Sequence, residues 1–215
     1  MAAVSYPTLL LASGRRAVIF RRSRWGGRRL PLARASGEAH LYMDLRPCGC
    51  GEVLFPRTSA VIRAGHDLSS RYSGKCVSCG SHREFVFRLP AKNQLSGPGV
   101  PPFGAGGRSE LLDPGEWLWI AGRYASAAPA ALSNLTGAAR ERACRSTAIA
   151  AAAMDEVLAF VPLGAKAVPA RSIRSERGRA VHASQPGRFR RERLVVVRDT
   201  YRAIMAEQGS GQGER

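Results

Sequence analysis

Two closely spaced cysteine pairs are the feature that most constrains this chain. Cys48 and Cys50 lie in the segment RPCGCGEVLF, and Cys76 and Cys79 lie in KCVSCGSHREF. The 215-residue chain contains only one other cysteine, Cys144. Two residues placed so close together on a tight turn can direct their sulfur atoms to one point. Two such turns can therefore meet around a single metal ion.

The spacing favours a structural zinc site. Zinc takes four ligands in a tetrahedral arrangement, at about 2.3 Å from each sulfur. The 25 residues between the two pairs are enough for an excursion of two strands. A β unit this small buries little apolar surface, so a bound metal would supply part of its stability. The predicted ligands are Cys48, Cys50, Cys76 and Cys79.

Other chemistries remain open for the same residues. Zinc could use three of the cysteines, with His66 or His82 replacing the fourth. Cys76 and Cys79 could instead form a redox dithiol, although such pairs usually begin a helix in a βαβ unit and strands flank this one. The thiols could also bind nothing. A catalytic zinc is disfavoured, because catalytic sites keep a coordination position open and usually use histidine or carboxylate ligands.

The second pair also carries a family resemblance. CVSCG matches the C-x-x-C-G knuckle of zinc ribbons, and CGCG is shorter by one residue. The segment from residue 38 to 90 thus resembles the zinc-ribbon class, which implies two knuckles on β-hairpins and a surface that contacts nucleic acid or protein. More broadly, YMDLRPCGCGE, CVSCGSHREFVFRLP and LLDPGEWLW resemble an uncharacterised group of actinobacterial proteins. That second resemblance implies no activity.

Hydrophobic periodicity changes along the chain. Leu41, Met43 and Leu45 alternate with Tyr42, Asp44 and Arg46 and predict a strand. HREFVFRLP also has a period of two, with Phe85, Phe87 and Leu89 on one face. SAVIRAG is a weaker strand candidate. These segments predict a small antiparallel sheet.

A helical pattern follows near residue 113. Asp113 suits a helix N-cap, Pro114 the first helical position and Glu116 the third, and apolar residues then recur at helical spacing from Trp117 onwards. We therefore predict an α+β fold, in which a small antiparallel zinc-ribbon β unit precedes a helical segment of three to four helices.

The composition of the chain sets the predicted boundaries. Residues 1–37 contain eight arginines and no acidic residue. We predict a disordered basic tail there, which could be a start-codon overcall, a basic arm or a transit peptide. Its deletion should leave the fold intact. The predicted regions are a tail over 1–37, a zinc-ribbon-like domain over 38–95, a Gly/Pro linker over 96–110, a helical domain over 111–208 and a disordered tail over 209–215.

The charge of the chain bears on its partners. The formal net charge is +17, of which the eight arginines of residues 1–37 supply 8, leaving +9. We predict that any nucleic-acid binding is weak, salt-sensitive and little dependent on sequence, and we favour a protein partner. If the chain bound one sequence tightly, the residues to mutate would be Arg83, Arg88, Arg190 and Arg191. The sequence shows no membrane span, and we predict a cytoplasmic protein with reduced thiols. The oligomeric state stays open.

The predicted function is a non-catalytic, zinc-stabilised binding module for a macromolecular partner. The chain contains no G-x-G-x-x-G, G-x-S-x-G or H-E-x-x-H motif. The alternative is an enzyme of unknown reaction, with Asp113, Glu116 and His182 lining a cleft between the ribbon and the helices.

Overall fold

The structure is a computed structural model that describes residues 29–90, 103–104, 107–127 and 135–210, the side chains of residues 207–210 excepted. The chain divides into two compact units, one within Met1–Leu95 and the other within Ser96–Arg215. The first unit contains helix α1 (Ser36–Asp44) and strands β1 (Thr58–Ala64), β2 (Asp67–Lys75) and β3 (His82–Arg88). The second contains helices α2 (Pro114–Ala127), α3 (Gly137–Leu158), α4 (Glu176–Ser184) and α5 (Arg191–Ser210). This arrangement confirms the predicted α+β fold.

The three strands form an antiparallel sheet in the order β1-β2-β3. In this register Tyr72 of β2 lies opposite Phe85 of β3, and the Tyr72 and Phe87 rings lie 6.0 Å apart. Helix α1 covers this face, because the Tyr42 ring lies 5.6 Å from that of Phe87. Aromatic rings therefore form the core of the first unit, and the alternation predicted for β3 is confirmed.

The strand predicted over Leu41, Met43 and Leu45 is wrong, because these residues lie in helix α1 or directly after it. Every residue from 37 to 45 is buried or half-buried, so no solvent-facing stripe marks the helical period. Glu38 favours the helix: its carboxylate accepts a bond from the backbone N–H of Arg34 at 2.8 Å. A short apolar run cannot be assigned to a helix or a strand by periodicity alone.

Residues 29–37, which we predicted to belong to the disordered tail, are instead part of the fold. The Ala33 N–H donates to the Arg88 carbonyl at 3.0 Å, and the Arg88 N–H donates to the Pro31 carbonyl at 2.9 Å. The Arg34 guanidinium lies 2.6 Å from the Glu38 carboxylate, and both side chains are buried. Residues 1–28 lie outside the described part of the chain.

We expect removal of residues 29–37 to destabilise the first unit. The Glu38 side chain is fully buried, so loss of Arg34 leaves a buried carboxylate without its partner. Such a loss costs about 3–5 kcal/mol. One chain that begins at residue 29 and another that begins at residue 38 should therefore differ by that amount in their free energy of unfolding, measured with urea. Equal unfolding free energies would contradict the role given to this segment.

Helix α2 begins as the sequence predicts. The Asp113 carboxylate accepts bonds from the N–H groups of Gly115 and Glu116, both at 2.9 Å, and the Glu116 carboxylate accepts from the Asp113 N–H at 3.2 Å. Trp117 is fully buried in the core of the second unit. The long helix α3 ends at Leu158, four residues before Pro162.

The first turn of α2 crosses α4 at close range. A Cβ atom on Gly115 would lie 2.4 Å from the Gly178 Cα atom, and one on Gly178 would lie 2.4 Å from the Asp113 carboxylate. Both positions therefore require glycine. The Asp113 carboxylate also accepts from the N–H groups of Arg174 and Ser175, at 2.8 and 2.5 Å. One side chain thus fixes both the start of α2 and the approach to α4.

Most of the predicted linker over residues 96–110 lies outside the described residues. Two of its described residues belong to the second unit: Phe103 is buried with its ring 4.8 Å from that of Trp117, and Ser109 accepts from the Leu112 N–H at 2.9 Å. At the other end, helix α5 reaches Ser210, two residues into the predicted tail, and residues 211–215 are not described.

None of the helices in the described part of the chain combines the length and the apolar character that crossing a bilayer requires.

Candidate metal centre

The first cysteine pair lies on the loop between α1 and β1. The Cys48 N–H donates to the Glu52 carbonyl at 2.8 Å, and the Cys48 carbonyl accepts from the Gly51 N–H at 2.8 Å. Gly51 has φ of 92°, a conformation that residues with a side chain rarely adopt. This tight turn places both sulfurs of C-G-C on one side of the backbone.

The second pair lies on the turn between β2 and β3 and repeats the pattern. The Cys76 N–H donates to the Ser81 carbonyl at 2.9 Å, and the Cys76 carbonyl accepts from the Gly80 N–H at 2.9 Å. Gly80 has φ of 70°. Each bond spans one residue more than its counterpart in the first turn. C-G-C-G is therefore a version of the C-x-x-C-G turn that is shorter by one residue.

The two turns bring the four predicted ligands together. The sulfur atoms of Cys48, Cys50, Cys76 and Cys79 all lie within 4.8 Å of one another. Two of the separations, Cys48 to Cys79 and Cys50 to Cys76, are 3.6 Å. A tetrahedron with about 2.3 Å from metal to sulfur has edges of about 3.8 Å. The donor set and its spacing thus fit one tetrahedral ion.

The geometry bears on the other interpretations of the cysteines. All five cysteines of the chain are described and none forms a disulfide. Among the described residues, neither His66 nor His82 joins the cluster, so a three-cysteine site is not needed to complete four ligands. Cys144 lies half-buried in α3, in the other unit.

Backbone N–H groups stabilise the thiolate forms of three of these cysteines. The N–H of Cys50 donates to the Cys48 sulfur, that of Glu52 to Cys50 and that of Ser81 to Cys79, each from two residues further on. The Ser81 hydroxyl lies 3.2 Å from the Cys48 sulfur and 3.0 Å from the Cys79 sulfur. Hydrogen bonds to a charged sulfur are stronger than those to a thiol, so these groups favour ionised ligands.

These contacts give the thiols of the metal-free protein different pKa values. The backbone N–H of Cys50 and then the Ser81 hydroxyl lower the pKa of Cys48 to about 6. The Ser81 hydroxyl and N–H also lower the pKa of Cys79. The Glu52 N–H lowers the pKa of Cys50, but hydrogen bonding to Cys79, Cys76 and Cys48, together with desolvation, outweighs it and raises that pKa to about 12. The pKa values of these thiols therefore depend on one another.

A carboxylate joins the two turns, and the sequence analysis missed it. Glu52 follows the first pair and accepts from the Ser78 hydroxyl inside the second turn and from the Leu54 N–H at 2.8 Å. The Ser78 bond is the main cause that lowers the pKa of Glu52. Glu52 and Ser81 both lie within two residues of a cysteine, and that proximity was the available signal.

The acidic residues proposed for the enzyme alternative have structural roles. Asp113 accepts four backbone N–H bonds, and Glu116 accepts the Asp113 N–H, so both carboxylates hold the start of α2. The His182 ring lies 5.1 Å from the ring of Phe189. These contacts explain why acidic residues occupy positions 113 and 116 without assigning them a catalytic role.

No protein-family model, no curated protein and no solved structure matches this chain. The resemblances to zinc ribbons and to actinobacterial proteins therefore stay predictions from the motifs. The metal centre depends on the geometry of the four cysteines.

Proposed function

We propose that the first unit is a zinc-stabilised, non-catalytic binding module for a macromolecular partner. The convergence of four cysteine sulfurs within 4.8 Å of one another is the observation that carries this proposal. A small sheet and one short helix bury limited apolar surface, and a bound metal stabilises units of this size.

The donor set supports zinc as the metal. Thiolate sulfur is a soft ligand that favours zinc or iron in a tetrahedral site, whereas calcium and magnesium require oxygen ligands. Four cysteines also complete the coordination of zinc, which is typical of a structural site. When bound, zinc would join the loop after α1 to the turn between β2 and β3.

Exposed apolar side chains near the cysteine turns support a protein partner. Val77 lies inside the second turn and is 53% exposed, and Leu54 follows the first turn and is 59% exposed. Both residues lie within four positions of a cysteine of the cluster. A protein partner would bury such exposed apolar side chains.

The face that the sequence offered for nucleic acid provides less support. Arg83, one of the arginines named for nucleic-acid contact, is only 8% exposed. Tyr42 packs against Phe87, and the Arg46 guanidinium lies 4.2 Å from the centroid of the Tyr42 ring. Single-stranded nucleic acid binds through exposed aromatic rings beside basic groups. These aromatic and basic side chains are engaged within the unit, which favours protein over nucleic acid.

We expect any nucleic-acid binding to be weak and strongly salt-dependent. Binding by arginine clusters to duplex DNA loses about 0.9 log unit of affinity per log unit of salt for each phosphate contact. The measurement compares the full chain with the chain that begins at residue 29, on mixed DNA and RNA at two salt concentrations. The contradicting result is tight binding to one sequence at physiological salt that is lost in the Arg190→Ala, Arg191→Ala double variant. That result would show that the partner is nucleic acid and not protein.

The protein interface is tested with Val77→Asp. This variant should keep its metal and its stability but lose proteins that wild-type protein captures reproducibly from its native host. Val196→Asp is the matched control, since Val196 is 63% exposed on the other unit. Equal capture by wild type and both variants would exclude the Val77 surface as the interface.

A further inference from the structure

The two edges of the three-stranded sheet differ. Strand β3 lies at one edge, and the segment before α1 covers it. The Ala33 N–H donates to the Arg88 carbonyl, and the Arg88 N–H donates to the Pro31 carbonyl. Strand β1 lies at the other edge, and within the described part of the chain no backbone hydrogen bond reaches its outer side. The sheet is therefore closed at β3 and open at β1.

The hydrogen bonds of β2 show which residues of β1 face the open edge. In an antiparallel ladder, successive residues direct their N–H and C=O groups to opposite sides of the strand. The Leu68 carbonyl accepts from the Leu89 N–H at 2.9 Å, so the even-numbered residues of β2 bond towards β3. The odd-numbered residues of β2 therefore bond to β1, where they lie opposite its even-numbered residues. The residues of β1 whose N–H and C=O groups point outward are Ser59, Val61 and Arg63.

Strand β1 lacks the features that usually protect a sheet edge. Such edges carry several charged residues, a proline or a bulge. The sequence of β1, TSAVIRA, has one charge and no proline, and it pairs with β2 residue for residue. Val61 shares the face of Phe87, because both residues lie opposite Ser70, yet Val61 is 68% exposed. Leu68, on the same face, is 53% exposed. The apolar face of the sheet thus continues to the open edge.

A second copy of β1 matches this edge. When two β1 strands pair in antiparallel fashion about Val61, Val61 lies opposite its own copy and Ser59 lies opposite Arg63. These three residues face outward, so all their N–H and C=O groups can bond across the pair. The two Arg63 side chains then lie about 13 Å apart along the strand direction, beyond the Debye length of about 8 Å at physiological salt. A parallel pairing in register would place them side by side, so charge selects the antiparallel arrangement.

We propose that the protein forms a symmetric homodimer through antiparallel pairing of two β1 strands. The pairing joins two three-stranded sheets into one sheet of six strands and buries the two Val61 side chains against each other. Seven residues of each copy form the pair, so the interface is small and the association is weak and reversible. The dimer requires a folded first unit and goes beyond the binding of a different macromolecule.

Sedimentation velocity of the full chain, over about 1–200 µM at physiological salt, tests the dimer. The mass of the particle should rise towards twice that of one chain as the concentration increases. Val61→Lys places two like charges at the centre of the pairing and should weaken the association by about 10-fold or more. Val196→Lys is the matched control, since Val196 is 63% exposed on the other unit, and should associate like the wild type.

Two changes at Ser59 test the register. Ser59→Glu places a carboxylate opposite Arg63 of the second copy, twice in each dimer, and should tighten the association by about 2- to 30-fold. Ser59→Lys should weaken it, because like charges then face each other. These variants decide the outcome if Val61→Lys does not fold.

A full chain that stays monomeric over the whole concentration range would overturn the proposal. Pairing of β1 with residues 1–28, or with a strand of another protein, would give that result. A dimer in which Ser59→Glu and Ser59→Lys have the same affinity, or in which Val61→Lys associates like Val196→Lys, would place the interface elsewhere and overturn the proposal as well.

Discussion

Replacing Cys76 by serine is expected to remove the metal and unfold the first unit. Cys76 is 2% exposed and its sulfur lies 3.6 Å from that of Cys50. Serine offers a shorter side chain and a poorer zinc ligand. The free energy of zinc binding in small structural sites is about 10–16 kcal/mol. The loss of much of this binding free energy would exceed the whole free energy of unfolding expected for a unit of this size. Elemental analysis and limited proteolysis of residues 29–90 measure both effects.

Cys144→Ser is the control for this experiment. Cys144 lies half-buried in α3 and outside the cluster, so this variant should keep the same metal content and a stable first unit. If Cys76→Ser keeps its metal, or loses it while residues 29–90 stay equally resistant to protease, the metal does not stabilise this unit.

Replacing Asp113 by alanine is expected to cause the largest loss of stability in the second unit. The Asp113 carboxylate is 2% exposed and accepts bonds from the N–H groups of Gly115, Glu116, Arg174 and Ser175. At about 1 kcal/mol for each donor left without a partner, the free energy of unfolding should fall by about 4 kcal/mol. Urea unfolding followed by tryptophan fluorescence measures it, because Trp117 and Trp119 both lie in α2.

Ser175→Ala is the matched control for Asp113→Ala. The Ser175 hydroxyl accepts one bond, from the Gly178 N–H at 2.9 Å at the start of α4. Loss of a single N-cap bond costs about 1 kcal/mol. A difference of less than 1 kcal/mol between the two variants would show that Asp113 does not join α2 to α4 in the way its hydrogen bonds indicate.

Short-range patterns allowed the sequence to predict the cysteine site and the start of α2. Glycines beside each cysteine pair define tight turns, and Asp113 and Glu116 stand at the spacing of reciprocal capping bonds. Both features depend on residues within a few positions of each other. The strand β3 was equally clear, since Phe85 and Phe87 share one face while Glu84, Val86 and Arg88 share the other.

The errors arise where tertiary contacts decide the structure. The last residues of helix α1 alternate between apolar and polar as in a strand, and only Ser36 of this helix is exposed. Arg34 resembled its neighbours in a basic tail, but it pairs with Glu38 in the core. Arg83 was named as a candidate for contact with nucleic acid, but it is 8% exposed. Its position two residues before Phe85 places it on the inner face of β3, and this period-two relation was the signal that pointed to the core.

The metal content of the purified full-length protein tests the zinc site most directly. Elemental analysis for both zinc and iron, normalised to protein concentration, should give one zinc per chain and no iron. The account predicts that Cys50→Ser loses this zinc, because the Cys50 sulfur belongs to the four-sulfur cluster. A wild-type chain that contains no zinc, yet keeps residues 29–90 folded after treatment with a strong chelator, would contradict the zinc-stabilised module.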